Sequence, residues 1–170
     1  MPHTTANNRL LTPDGVKRGY IQAEKLTELW FHTGTDCNLG CSFCYEDAKP
    51  GDRRIELLTF VDAKQYIDEA VKIGVERFSF TGGEPFVNKE FLKILSYALE
   101  HRPCLVLTNG TGPIRTKFDE VLQLKEKPNK LKFRISIDHP DEKEHDNGRG
   151  KGSFAIAMET LSLLHQNGFN

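Results

Sequence analysis

The chain has 170 residues, 38% of them hydrophobic and 28% charged, which is enough for one globular core and short for two. Lys and Arg number 23 against 24 Asp and Glu, so a net charge of −1 supplies no electrostatic footprint for nucleic acid or an anionic membrane. No apolar run is long enough to span a bilayer and the N-terminus MPHTTANNRL has no apolar signal core, which predicts a cytoplasmic protein with reduced thiols.

The first predicted strand, Leu29 to His32, leads straight into Thr35-Asp36-Cys37-Asn38-Leu39-Gly40-Cys41-Ser42-Phe43-Cys44-Tyr45. Its three cysteines are spaced CxxxCxxC. In a reducing compartment such a trio reads as metal ligands rather than as a disulfide framework. Iron–sulfur clusters are normally held by four thiolates, so three would leave one iron of a four-iron cluster open for chemistry. A closed zinc module with His32 as the fourth ligand is the alternative. Cys104 stands apart, opens an apolar run and reads as a small buried hydrophobe.

Thr59 and Asp62 are spaced as a capping box, and Val61, Ala63, Tyr66, Ile67, Ala70 and Val71 recur near the helical period as far as Gly74. The second strand, Glu76 to Phe80, runs into Thr81-Gly82-Gly83-Glu84-Pro85. Two glycines there would let a ligand approach the backbone, and the Glu84 carboxylate suits an ammonium group; an ordinary strand-end turn is the other reading. Asn88 is expected to cap a second helix carrying Phe91, Leu92, Ile94, Leu95, Ala98 and Leu99 inward.

A third strand, Leu105 to Leu107, breaks at Thr108-Asn109-Gly110, a third helix is predicted near Lys117 to Lys125, and the fourth strand covers Leu131 to Ile137. The hydroxyls of Thr108 and Ser136 and the amide of Asn109 are candidates for a ribose or a substrate, and Asp138 for proton transfer. The basic group Lys125, Lys127, Lys130, Lys132 and Arg134 reads as a solvated face. His145-Asp146-Asn147-Gly148-Arg149-Gly150-Lys151-Gly152-Ser153-Phe154 is expected as a glycine-rich loop entering a fourth helix, which Ser153 caps and in which Phe154, Ala157, Met158, Leu161 and Leu164 face the core. Arg149 suits a carboxylate, with donors added by that helix N-terminus.

Strands alternating with helices imply a parallel sheet. Together the cysteine run, the Gly82-Gly83-Glu84-Pro85 turn and the HDxxRGxGSF segment resemble the radical S-adenosylmethionine superfamily, from about Leu29 to the end. The resemblance implies an α/β fold, a partial (βα) barrel with parallel strands, of whose six units about four are present. It divides the chain into an N-terminal extension, residues 1–27, and a core domain, residues 28–170, incomplete at its C-terminal side, so a fragment is expected.

The resemblance further implies a [4Fe-4S] cluster on Cys37, Cys41 and Cys44, and S-adenosylmethionine held by Phe43, Gly82, Gly83, Glu84, Thr108, Asn109, Ser136 and Arg149. Phe43 would lie beside the adenine, Glu84 at the amino group and Arg149 at the carboxylate. Reductive cleavage of S-adenosylmethionine to a 5′-deoxyadenosyl radical is the implied activity, on an unidentified small molecule or peptide, with an electron donor such as flavodoxin or ferredoxin. A chain that binds the cluster without turnover is the competing expectation. One departure is visible: the commoner SLDG is here Ser136-Ile137-Asp138-His139, and His139 reads as a surface loop residue.

Overall fold

The computed structural model describes residues 10–19 and 24–169, so residues 1–9 and 20–23 of the expected N-terminal extension lie outside the described residues, as does Asn170. Four strands, β1 (Glu28–His32), β2 (Arg77–Thr81), β3 (Cys104–Thr108) and β4 (Leu131–Ile135), form one sheet in chain order, every neighbouring pair parallel. Six helices join or follow them: α1 (Phe60–Lys72), α2 (Phe91–His101), α3 (Gly112–Thr116), α4 (Phe118–Gln123), α5 (Glu142–Arg149) and α6 (Ser153–Gln166). Parallel pairing requires such crossovers, because a short hairpin cannot return the chain to the same end of the sheet.

Strand alternation decides which face is covered. Phe31, Phe78, Phe80, Cys104, Val106 and Leu131 are buried, together with Ala63, Ile67 and Ala70 of α1 and Phe91, Ile94, Leu95, Ala98 and Leu99 of α2. Aromatic rings join the layers: Phe80 meets Phe91 edge-on at 5.5 Å between centroids, and Phe91 meets Phe86 at 5.1 Å. Cys104 is buried as a free thiol, as expected for a small hydrophobe. Among the described residues no helix is long and apolar enough to cross a membrane.

Several local expectations are corrected. Thr59 does cap α1, accepting from the Asp62 N–H at 3.2 Å, but Val61 and Tyr66 are exposed, because only Ala63, Ile67 and Ala70 fall on the stripe that meets the sheet and α2. Asn88 does not cap α2 directly. Its side chain accepts from Glu90 N–H at 2.9 Å and donates to the Leu58 carbonyl at 2.8 Å, tying a 3₁₀ turn (Pro85–Val87) to the entry of α1. The single third helix is two, α3 and α4, with Lys117 between them reaching back to the Phe86 carbonyl at 2.6 Å. In α6, Met158 and Leu161 are exposed while Thr160 is buried.

The largest difference lies after β4. That strand stops at Ile135, so Ser136 and Asp138 sit in the following loop. The expected glycine-rich loop is mostly helix α5, capped by the Asp141 side chain, which accepts from Glu144 N–H at 3.0 Å. Arg149 is therefore the last residue of α5 rather than a neighbour of the α6 N-terminus. Ser153 does not cap α6 by accepting a bond. Asp146 takes the donors of that first turn, from Gly152 N–H, Phe154 N–H at 2.9 Å and the Ser153 hydroxyl at 3.1 Å, and these bonds lower its pKa to about 2. The N–H groups of Gly152 and Phe154 are thus taken by the chain's own carboxylate.

Candidate functional site

The ends of β1 to β4 and the loops beyond them enclose a cavity of about 330 Å³. Its walls hold Cys37, Cys41 and Cys44 with Phe43, from the loop after β1; Gly82 and Gly83, after β2; Thr108 and Asn109, at the end of β3; and Ser136 and Arg149. Ten of the residues singled out in the sequence thus meet at one place. Glu84 and Asp138 do not line it. Tyr45, Ala48, Thr81 and Leu107 do; Tyr45 and Thr81 stand at the edges of the cysteine run and the glycine turn with no role assigned from sequence, and Ala48 and Leu107 had no motif to mark them.

The cysteine loop is closed at its base, where the Cys37 N–H meets the Lys49 carbonyl at 3.4 Å and Asp36 accepts from Gly51 N–H at 2.9 Å. Inside it, Cys44 N–H donates to the Cys41 carbonyl at 3.1 Å. All three thiols are free. Burial pushes the Cys37 thiol up to about 11 and raises Cys41 as well, although Arg149 partly offsets the latter. A metal that binds thiolate would displace those protons.

The glycine turn is held against this loop by the backbone. Gly83 N–H donates to the Gly34 carbonyl at 2.9 Å, and Glu84 N–H to the Asp36 carbonyl at 3.0 Å. A Cβ on Gly83 would lie 2.4 Å from the Asp36 carbonyl oxygen, and one on Gly82 2.7 Å from that of Gly34. The glycines admit the chain's own backbone first; any ligand meets what remains of them at the cavity wall.

Beneath that wall Glu84 is buried. Its carboxylate accepts from the Thr108 hydroxyl and the Asn109 N–H, both at 2.8 Å, and from Phe86 N–H at 3.2 Å. Desolvation outweighs these bonds and raises its pKa to about 7. The sign follows: the folded state holds the proton more tightly than the unfolded one, so stability is full below the ordinary value near 4.5 and falls as pH rises through 7. Glu84→Gln is expected to flatten this loss, up to about 3 kcal/mol between about pH 4 and 8, in denaturant titrations of the metal-free chain. An unchanged pH slope in the variant would refute the assignment.

Thr108 and Asn109 are therefore engaged internally. The Asn109 amide donates to Asn38 Oδ1 at 2.9 Å and approaches Cys37 Sγ at 3.9 Å, while its oxygen accepts from the Thr111 N–H and hydroxyl at 2.9 and 2.6 Å. Asn38 completes the ring by donating to the Thr111 hydroxyl at 2.8 Å. This network, which joins the cysteine loop to the end of β3, is not legible in the sequence except for Asn109. Its one signal is the placement of Asn38 inside the CxxxCxxC run.

On the far side, Ser42 N–H donates to the Gly148 carbonyl at 3.0 Å, and the Phe43 ring lies where a Gly148 Cβ would come within 2.3 Å of it. The Arg149 guanidinium stands 5.6 Å from the same ring centroid. Asp138 holds Arg149 through both carboxylate oxygens, and this pairing lowers the Asp138 pKa. Asp138 is thus an ionised partner of Arg149, outside the cavity wall. His139 is exposed, as expected.

His32, the ligand a zinc module would need, is occupied at both ring nitrogens. Nδ1 accepts from Gly34 N–H at 3.2 Å and Nε2 meets Glu46 at 2.7 Å. Among the described residues no three His, Cys, Asp or Glu side chains converge to hold a single metal ion. A cluster asks something different of the trio, since each thiolate binds its own iron, and three free thiols on one cavity wall suit that demand.

Residues 31–170 match the family described as the Radical SAM superfamily. The mycofactocin maturase MftC of Mycolicibacterium smegmatis is 34% identical over 133 residues, 78% of this chain and 33% of that protein. An AdoMet-dependent heme synthase of Oleidesulfovibrio alaskensis is 33% identical over 135 residues, again 78% of this chain and 33% of its own length. Streptococcus suis SuiB, solved with S-adenosylmethionine bound, superposes with a TM-score of 0.71 at 18% identity, covering 86% of this chain and 33% of SuiB; it has also been solved with its precursor peptide SuiA. The chain spans about a third of the length of these proteins.

Proposed function

Since the chain belongs to the radical SAM superfamily, we propose that its cavity holds a [4Fe-4S] cluster and S-adenosylmethionine and serves an enzyme that starts radical chemistry on a further substrate. The observation that carries this reading is the meeting of three free thiols, the Gly82-Gly83 turn and Arg149 around one cavity. The four parallel strands are the corresponding part of the partial barrel. When bound, the cluster supplies the electron that cleaves S-adenosylmethionine to a 5′-deoxyadenosyl radical.

The chain's own residues do the holding. Cys37, Cys41 and Cys44 ligate, and the Asn109 amide beside Cys37 keeps that sulfur in place. Arg149, steadied by Asp138 and by the Phe43 ring, presents a cation to the cofactor's carboxylate. Asp138 acts as the positioning partner of Arg149 in this reading, not as a proton carrier. Phe43, half-exposed, offers a face to the adenine, and Ser136 has a hydroxyl at the wall. Glu84 places negative charge beneath the Gly82-Gly83 wall, where the cofactor's ammonium would arrive, and that arrival would restore its ionised form.

Arg149→Ala is expected to weaken S-adenosylmethionine binding by about 1.5 to 3 kcal/mol, the range for hydrogen bonds to a charged group, and Glu84→Ala, which removes a buried carboxylate from beneath the wall without a direct contact to the ligand, to weaken it by less. Perturbation of the reduced cluster's electron paramagnetic resonance spectrum measures it. Unchanged binding in both variants would place the cofactor elsewhere. Release of 5′-deoxyadenosine under reductant tests turnover, with an electron donor such as flavodoxin or ferredoxin as the physiological source. Cluster without nucleoside would select the second reading, a chain that binds but does not turn over. The substrate is a small molecule or a peptide, the latter in line with the precursor peptide bound by SuiB.

A further inference from the structure

The inner face of the sheet, opposite the helices, carries charge that the cavity does not use. Trp30, Ser79, Leu105 and Lys132 fall in register across its four strands, and Trp30 is 45% exposed. On the same face Glu28 is fully engaged, bonded by Arg77 Nε and Nη2 at 3.0 and 2.6 Å and by the Ser79 hydroxyl. An opening of about 430 Å³ at the N-terminal ends of the strands, lined among others by Thr27, Glu76, Pro103 and Lys130, takes in Glu28, Arg77, Leu105 and Lys132 but not Arg134.

Lys132 and Arg134 remain. Both are exposed, and neither makes an ion pair or a side-chain hydrogen bond among the described residues. The basic group of the sequence is thus split: Lys127 pairs with Glu100 at 2.7 Å, whereas alternation along β4 turns Lys132 and Arg134 inward, because Phe133 between them packs against Phe86 and Phe169 on the helix side. Arg134 is in register with Leu107 and precedes Ser136 by two residues, and both of those line the cysteine cavity. Neighbouring strands are about 4.8 Å apart and same-face residues about 6.6 Å along a strand. Two cations without a partner among the described residues therefore stand on this face beside Leu105 and Leu107, with Trp30 in the same row as Lys132 but three strands, about 14 Å, away.

We propose that Lys132 and Arg134 bind a carboxylate of the substrate, Arg134 through its planar fork and Lys132 as a second point charge. The anchored group then lies within about 7 to 13 Å of the cavity wall at Ser136, which sets the reach between the carboxylate and the reacting carbon. The inference relies on the proposed function only in calling the ligand a substrate.

Trp30 is the one tryptophan of the 170 residues, so its fluorescence, corrected with Trp30→Phe, reads occupancy of this face without cluster or cofactor. The probes are 3-phenylpropanoate against its amide, and the tripeptide Ala-Ala-Phe as free acid against its C-terminal amide. In at least one pair the acid is expected to bind about tenfold more tightly. Arg134→Gln and Lys132→Gln should each shrink that preference, Arg134→Lys should keep part of it, and Lys143→Gln on α5 should leave it intact. The pair that responds tells a small acid from a peptide terminus. Equal affinity of acid and amide in both pairs, no binding by any probe, or a preference that survives both Gln variants overturns the proposal. Any of these results leaves the cluster and nucleoside assays unaffected, so the two readings fail separately.

Discussion

Single Ala substitutions at Cys37, Cys41 and Cys44 are each expected to abolish the iron–sulfur absorption and paramagnetic signals of the anaerobically reconstituted chain, while Cys104→Ala retains them. The parent should hold about four irons and four sulfides, lost in air. The contrast rests on position. The trio shares one cavity wall, whereas Cys104 opens β3 at the other end of the sheet, four residues or roughly 13 Å before Thr108 reaches that wall. Its thiol is buried, its pKa is raised by desolvation, and its one hydrogen bond among the described residues is a weak one to the Arg102 carbonyl at 3.4 Å. With only three protein ligands, loss of one leaves two, and no other described side chain is placed to substitute. If Cys104→Ala loses the cluster while a member of the trio is dispensable, the ligand assignment fails.

The second large effect is expected from Gly83→Ala. The new methyl group would sit 2.4 Å from the Asp36 carbonyl oxygen and 2.7 Å from that of Thr35, both backbone atoms with no rotamer to yield. Relief requires the turn after β2 to part from the cysteine loop, which stretches the bonds from Gly83 N–H to Gly34 and from Glu84 N–H to Asp36. Overpacking typically costs about 1 to 3 kcal/mol, and the upper end is expected here. Because Asp36 immediately precedes Cys37, cluster content should fall with stability. Gly112→Ala is the control: beyond its two chain neighbours nothing lies within 4 Å of the position its methyl group would take, so a change well below that of Gly83→Ala is expected, limited to what Pro113 imposes on the residue before it. Denaturant midpoints and iron content measured on the two variants check both claims. Equal midpoints for Gly83→Ala and the parent would show that the two segments do not meet.

The sequence alone determined the order of strands and helices, the cysteine trio, the turn after β2 and the polar ends of β3 and β4. These are legible because alternation, helical period and ligand spacing are local properties, carried by residues a few positions apart. Boundaries were less so. The expected fourth strand ran two residues too far, and a loop was read where α5 forms, since a helix with one buried side chain, His145, shows no apolar stripe.

What only the tertiary structure decided concerns contacts between segments distant in the chain. Gly82 and Gly83 read as an opening for a ligand, yet the space of their missing side chains is filled by residues 33–36, about 50 positions earlier. Arg149 read as a helix N-terminal cation, yet it ends α5, is held by Asp138 and faces Phe43 of the cysteine loop, while Asp146 occupies the N-terminus that was expected to help it. Thr108 and Asn109 read as free polar groups and are bound to Glu84, Asn38 and Thr111. Residue type shows what a side chain is able to bond. Which partner it finds depends on the sheet bringing four strand ends together, where buried polar groups must satisfy one another before they serve a ligand.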